Sequence, residues 1–312
     1  IGVGASCTIL AQDTEPQYAP VKWKLGDTRT VEHVATAHVT RNDSVLLSTE
    51  VKSRYRLKVL AVKDTAYEVE FQDITINDKV KMKSDAGDMR AMEAMLGRLI
   101  TDIQEKMRGF KYTLLVDRTN AQALAVKNKK AMAKYMEETV MVVLSAITDE
   151  AKVQLGLKER KELELKLKEY MKEQMPAAMQ TVVNCFNYIF QGYTAAYVPG
   201  RTHTNDVGMY YVDAIKYGDK ESTASQVVTA KQTADKLTLN VVVNEDQRMA
   251  YQLSIVDEGL GDQVPFSKFS SVQGFNTVFD RTTTWITRHE ATVEVKAAGL
   301  YSLQKEVSVL KQ

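Results

Sequence analysis

A chain of 312 residues with 44% apolar and 26% charged residues has the composition of an ordinary globular protein, and it is long enough to bury a core without covalent staples. Its 41 basic and 40 acidic residues leave a net charge of +1 with no basic block, so nothing electrostatic points to nucleic acid or an anionic membrane surface. Only two cysteines occur, Cys7 and Cys185, which is too few for a disulfide framework.

Ile1 to Ala11 carries no charge, and the chain turns polar at Asp13-Thr14-Glu15-Pro16. This reads as a residual signal peptide over residues 1–12, cut after Gln12, and implies an exported protein, periplasmic or associated with the cell envelope. The alternatives are a lipoprotein signal cut before Cys7, which leaves a lipid anchor there, and a plain apolar strand. With the signal removed, Cys185 in the run VVNCFNYIF is a lone thiol and reads as a small core residue. No later stretch reaches 18 apolar residues, so no transmembrane helix is expected.

Lys24-Leu25-Gly26-Asp27 reads as a turn that launches long strands over 29–41 and 46–62. In the second strand Val51, Ser53, Tyr55, Leu57 and Val59 share one face, and Lys52, Arg54, Arg56 and Lys58 share the other. Residues 65–77 repeat the device with Tyr67, Val69 and Phe71 inward. There the apolar register flips to Ile74 and Ile76, which predicts a bulge near Gln72-Asp73. Met89, Met92, Leu96, Leu99, Ile103 and Met107 then recur at helical spacing, predicting a helix over 86–108. Tyr112, Leu114 and Val116 return to period two, Asp117 to Asn120 turns, and Gln122 to Lys127 comes back as a strand.

Residues 129–192 read as helical throughout, punctuated at Gly156, Pro176 and Gly192, with Met179, Val182, Val183, Phe186 and Ile189 as the buried face of the last helix. The remainder reads as strands over 207–215, 223–232, 236–244, 248–256, 277–297 and 300–310. No repeat of 20–50 residues is present. The two halves share only a loose likeness, several strands each and a "G-x-x-hydrophobic-D" approach to a turn. Segregated runs of strands and helices predict an α+β fold. The expectation is a single domain over 13–312, a curved antiparallel sheet, open or partly closed like a barrel, with a helical insertion at about 129–192 and helices packed on one face.

The segments Trp23 to Asp27, Tyr112 to Asp117, and Val278-Phe279-Asp280-Arg281-Thr282 with Trp285-Ile286 resemble an exported Bacteroidota envelope family of unknown function. That resemblance implies a curved antiparallel sheet interrupted by helices. A glycine belonging to the closing turn of the pattern is replaced here by Thr282-Thr283-Thr284. In plan the chain is also distantly similar to periplasmic lipoprotein carriers, where a half-open barrel holds acyl chains beneath helices.

Motifs for chemistry are absent: there is no G-x-S-x-G elbow, H-E-x-x-H pair or P-loop. His33 and His38 are five apart in a strand and face opposite sides, so they cannot share a metal. His203 with Asp206, in a polar stretch read as a loop, is the only nameable acid–base pair and carries the alternative reading of a hydrolase. His289 reads as a strand residue among charges. Methionine is the unusual signal, since eleven of thirteen fall between Met82 and Met179. Flexible, polarizable methionines suit a surface that accepts variable apolar shapes. The expectation is therefore a non-enzymatic envelope protein binding a lipid or other apolar ligand between sheet and helices. Met89, Met92, Leu96, Met132, Met136 and Met179 are the candidate lining, with no metal, no cofactor and no identified protein partner.

Overall fold

In a computed structural model of the chain, the described residues are 15–74, 81–83, 110–135, 138, 157–211, 220–244, 247–248 and 265–312. Among the described residues twelve strands form one sheet: β1 (Thr28–Arg41), β2 (Ser44–Val62), β3 (Ala66–Asp73), β4 (Lys81–Lys83), β5 (Lys111–Asp117), β6 (Ala123–Val126), β7 (Thr202–Tyr211), β8 (Lys220–Gln232), β9 (Lys236–Asn244), β10 (Ser270–Asp280), β11 (Ile286–Ala297) and β12 (Leu300–Lys311). Their order is β6-β5-β3-β2-β1-β12-β11-β10-β9-β8-β7, with β4 beside β2, and every pairing is antiparallel. The expected single antiparallel sheet is what forms. It is not closed, because β6 and β7 stand at its two ends.

Strict alternation of side chains gives this sheet two faces. Leu57, Val59, Tyr67, Val69, Phe71, Tyr112, Leu114 and Val116 are buried inward, while Lys52, Arg54, Arg56 and Lys58 stay exposed. The outward charges pair across strands, as in Arg54 with Glu32 at 3.0 Å and Lys111 with Glu70 at 3.1 Å. The inner face bends round on itself. In a flat sheet β3 and β11, four strands apart, would lie roughly 19 Å from each other. Yet the Trp23 ring sits 5.3 Å from Tyr67 of β3 and stacks at 4.3 Å on Trp285, which leads into β11.

One long helix is described, α1 (Leu157–Ile189), and residues 129–135 are helical before it. α1 runs through Pro176, so the expected break there does not occur; the proline removes one backbone donor but does not end the helix. Its last turns bring Val183, Phe186 and Ile189 into the core, with Phe186 edge-on to Phe71 at 5.8 Å. At the β6 end of the sheet the side-chain amide of Asn187 takes the place of a missing strand. Its Oδ1 accepts from the Ala123 backbone N–H (2.6 Å), and its Nδ2 donates to the Ala123 carbonyl (3.2 Å).

Four further expectations change. β3 ends at Asp73 with no bulge at Gln72-Asp73; the register shift lies instead on β2, between Val59 and Ala61. Residues 277–297 are not one strand but the end of β10, a turn and β11. Thr284 makes that turn with φ 62°, a left-handed conformation usually given to glycine, so the missing glycine hid it. Residues 247 and 248 are helical, not the start of a strand. The stretch around His203 is the beginning of β7, not a loop. The predicted helix over 86–108 and residues 1–12 lie outside the described residues.

The loose likeness between the halves is an internal repeat of structure. Gly26 and Gly200 open the two halves at φ 84° and 69°. One residue on, the Asp27 carbonyl accepts from Val59 N and the Arg201 carbonyl from Ala230 N. The β2–β3 turn closes through Lys63 N to Ala66 O at 2.8 Å, and the β8–β9 turn through Thr233 N to Lys236 O at 2.8 Å. Asp117-Arg118-Thr119 and Asp280-Arg281-Thr282 then make equivalent turns, each with a left-handed residue, Ala121 or Thr284. β1-β2-β3-β5-β6 thus corresponds to β7-β8-β9-β10-β11, and β12 is spliced between β1 and β11 where the halves meet.

Candidate functional site

The inner face is layered. At its base, segments outside the strands deliver large rings. Trp23, Phe190, Tyr193 and Trp285 are all buried, and Tyr193 lies edge-on to Phe279 of β10 at 5.0 Å. Their polar atoms are satisfied: the Tyr193 hydroxyl donates to the Thr284 carbonyl, and Trp285 Nε1 donates to Asp27 Oδ2 at 3.2 Å. Met132 is buried in this core and Met179 packs against it. Met89, Met92, Leu96 and Met136 lie outside the described residues.

Above the base the registers line up a polar row on five successive strands. Ser53 pairs with His33, His33 with Ser308, Ser308 with His289, and His289 with Thr277. His33 Nδ1 lies 2.9 Å from Ser308 Oγ, and His289 Nδ1 lies 2.8 Å from Thr277 Oγ1. α1 lays Cys185 and Tyr188 over this belt: the thiol Sγ is 4.0 Å from the Tyr55 hydroxyl, and the Tyr188 ring stands edge-on to His289 at 5.8 Å.

Burial sets the charge state of the belt. It pushes His289 down to about 4, helped by the nearby His33, and it lowers His33 as well. His289 is fully enclosed, and its Nε2 has no hydrogen-bond partner among the described residues, which a neutral ring tolerates far better than a charged one. Burial pushes the Cys185 thiol up to about 11 and raises Tyr55 and Tyr188. A thiol kept protonated is a weak nucleophile at neutral pH. The belt is thus a set of neutral donors and acceptors.

Higher still, β12 is unusual for a central strand. Between the buried Leu300 and Leu310 its inward positions are Ser302, Gln304, Glu306 and Ser308. Glu306 is flanked by two small residues, half-buried Ala35 on β1 and buried Ala291 on β11. Its Oε2 stands 3.4 Å from His33 Nε2. Burial raises the Glu306 carboxyl above the usual carboxylate range. On the β1–β2 side the inner face is only half sealed: Val51, level with Glu306 across Ala35, is half-buried, as are Leu47 and Val39 further on. In the next row of β12 and β11 Gln304 is exposed and Val293 half-buried, and past it Ser302, Val295, Ala297 and Leu300 are buried again.

Sequence reasoning separated His33 from His38 correctly, since β1 puts them on opposite faces. It missed the belt. Its signal was faint, a period-two polar row at Ser302, Gln304, Glu306 and Ser308 inside a strand recognised only by its ends. The positions of His203 and Asp206 differ by three along β7, so a strand places them on opposite faces and does not bring them together. Among the described residues no cluster of three or more His, Cys, Asp or Glu is placed to hold a metal, and no helix is long and apolar enough to cross a membrane.

No family model matches the chain, and no curated protein matches it. Among solved structures it is similar to a lipovitellin structure described by its lipid–protein interactions, at 6% identity and a TM-score of 0.42, over 93% of this chain. The chain spans 26% of that protein's length. It is also matched to an outer membrane channel from Pseudomonas putida F1, at 6% identity and a TM-score of 0.18, over 93% of this chain and 97% of the channel. Both likenesses are too slight to define a shared fold or to argue a function.

Proposed function

We propose that the protein is an exported, non-enzymatic component of the cell envelope that holds a lipid or other apolar ligand against the inner face of its sheet. The observation that carries this reading is the change along that face. Below the belt it is closed by buried rings, and from the level of Glu306 onward Val51, Leu47 and Val39 on β1–β2 and Val293 on β11 are without full cover. Half-covered apolar side chains on a concave surface gain by covering, at about 25 cal/mol per Å² of apolar area removed from water. The belt favours binding over catalysis, because its thiol is held protonated and meets the Tyr55 hydroxyl and not an imidazole base. Export rests on the charge-free run from Ile1 to Ala11.

Displacement of a fluorescent apolar dye from the purified full chain tests the reading. Saturable dye binding that is lost in Val51→Arg, with the thermal midpoint of the variant close to that of the parent, supports it. Binding unchanged in that variant, or no binding at micromolar protein, removes it. Native mass spectrometry of protein taken from an envelope fraction checks the location and the retained ligand together.

A further inference from the structure

A face meant only for acyl chains has no use for a carboxylate at its centre. Glu306 lies on the middle strand of the sheet, points inward and is only partly covered, its side chain 35% exposed. Charged side chains on an inner face are costly unless they are paired or meet a polar group. His33 Nε2 faces one of its oxygens, Oε2, at 3.4 Å. Beside the carboxylate the lane is open toward β1, where half-buried Ala35 flanks it, and closed toward β11, where Ala291 is buried; the next inward residue on β12 is Gln304, an exposed amide. Below, the belt blocks any deeper passage, since Ser308 and His289 are buried and α1 covers them with Tyr188. Half-buried Val51 lies level with it beyond Ala35, and Val293 and Val39 lie above. A chain lying on those valines therefore has its end at Glu306.

We infer that the ligand is an amphiphile bound polar end inward, and that Glu306 and Gln304 select a head that donates hydrogen bonds and is neutral or cationic, an amine or an alcohol, over an anionic head such as a fatty-acid carboxylate. This rests on the proposed apolar-ligand reading and adds to it the chemistry of the polar end. The physical reason is direct. The second carboxylate oxygen and the amide oxygen of Gln304 are acceptors, so an ammonium or hydroxyl donates to both. A carboxylate head brought to the same place sets two like charges side by side where water screens them poorly.

Three ligands with the same twelve-carbon chain separate the ideas: dodecylamine, dodecanol and dodecanoate, each below its micelle concentration, displacing a naphthylamine dye from the full chain. The amine and the alcohol are expected to displace at concentrations roughly tenfold lower than dodecanoate. Glu306→Gln, with an unchanged thermal midpoint, is expected to remove that order and bring the three together. Glu294→Gln, on the outer face of β11, is expected to keep it. Dodecanoate binding as well as or better than the amine in the parent protein overturns the inference without any variant, as does an order that survives Glu306→Gln. In both cases displacement still occurs and the apolar-ligand reading stands. If none of the three displaces the dye, or the dye never binds, it is that reading which fails.

Discussion

The base of the inner face and its upper part are made from the same strands with the same alternation, yet the base is sealed throughout and the upper part only around Ser302, Val295, Ala297 and Leu300. The difference is in what the connecting segments bring. At the base Trp23, Phe190, Tyr193 and Trp285 arrive from outside the strands and fill the bend, and Trp23 alone contacts four other rings. Above the belt the sheet supplies alanines and valines with a polar row between them. A sheet face is thus a core only where something of matching volume is delivered to it, and the same face left half-covered is a surface with binding capacity.

This division can be broken by mutation. Trp285→Ala removes a ring that stacks on Trp23 and donates to Asp27, and it is expected to cost about 3–5 kcal/mol. Val293→Ala, on the half-buried upper face, is expected to cost under about 1.5 kcal/mol while weakening dye binding. Urea denaturation of both variants decides it: equal costs would mean that the upper face is ordinary core.

The belt between the two regions sharpens the comparison through pH. An unfolded histidine takes up its proton near 6.5, whereas His289 in the fold takes it up only near 4. Between these values the unfolded state binds more protons, so stability is full above about pH 6.5 and falls as pH drops toward 4. The loss attributable to His289 is about 3 kcal/mol. His33 acts in the same direction, and Glu306, held above its ordinary value, acts in the opposite one. The thermal midpoint is expected to fall between pH 7 and 5, and His289→Asn to flatten that slope. A slope unchanged in the variant would place the proton uptake elsewhere.

Much of the sheet was legible. β9 is where its alternation put it, and the Asp117 to Asn120 turn and the return strand after it are found as read. Those segments have their signals in near neighbours. The β10–β11 turn was not legible because Thr284 accepts a left-handed backbone without a glycine to mark it. Pro176 misled in the other sense, since a long helix tolerates it. The belt was hidden for a deeper reason. Ser53, His33, Ser308, His289 and Thr277 are spread over most of the chain, and only the pairing of the last strand with the first brings them into one row. Nothing local to any of the five announces that closure.

The smallest effect tests the repeat itself. Arg118 Nη1 donates to the carbonyls of Lys63 and Asp64 at 2.7 and 3.3 Å, and Arg281 Nη1 donates to those of Thr233 and Ala234 at 2.6 and 3.2 Å. Each arginine ties a later turn to the hairpin turn of its own half, and in each an aspartate, Asp117 or Asp280, accepts from the backbone two residues on. The carbonyls are exposed, so water replaces much of what is lost and the cost of Arg→Ala is expected to be about 1 kcal/mol in either half. Each has one further contact, the Tyr67 ring 5.5 Å from the Arg118 guanidinium and the Gln232 amide oxygen accepting from Arg281. The two sites share no partner, so the double variant is expected to show the two costs together within about 0.5 kcal/mol. Urea midpoints of the single and double variants measure all three quantities. One arginine costing several kcal/mol while the other costs nothing would mean that the halves share a backbone path but not its energetics, and that one turn alone holds the base of the sheet.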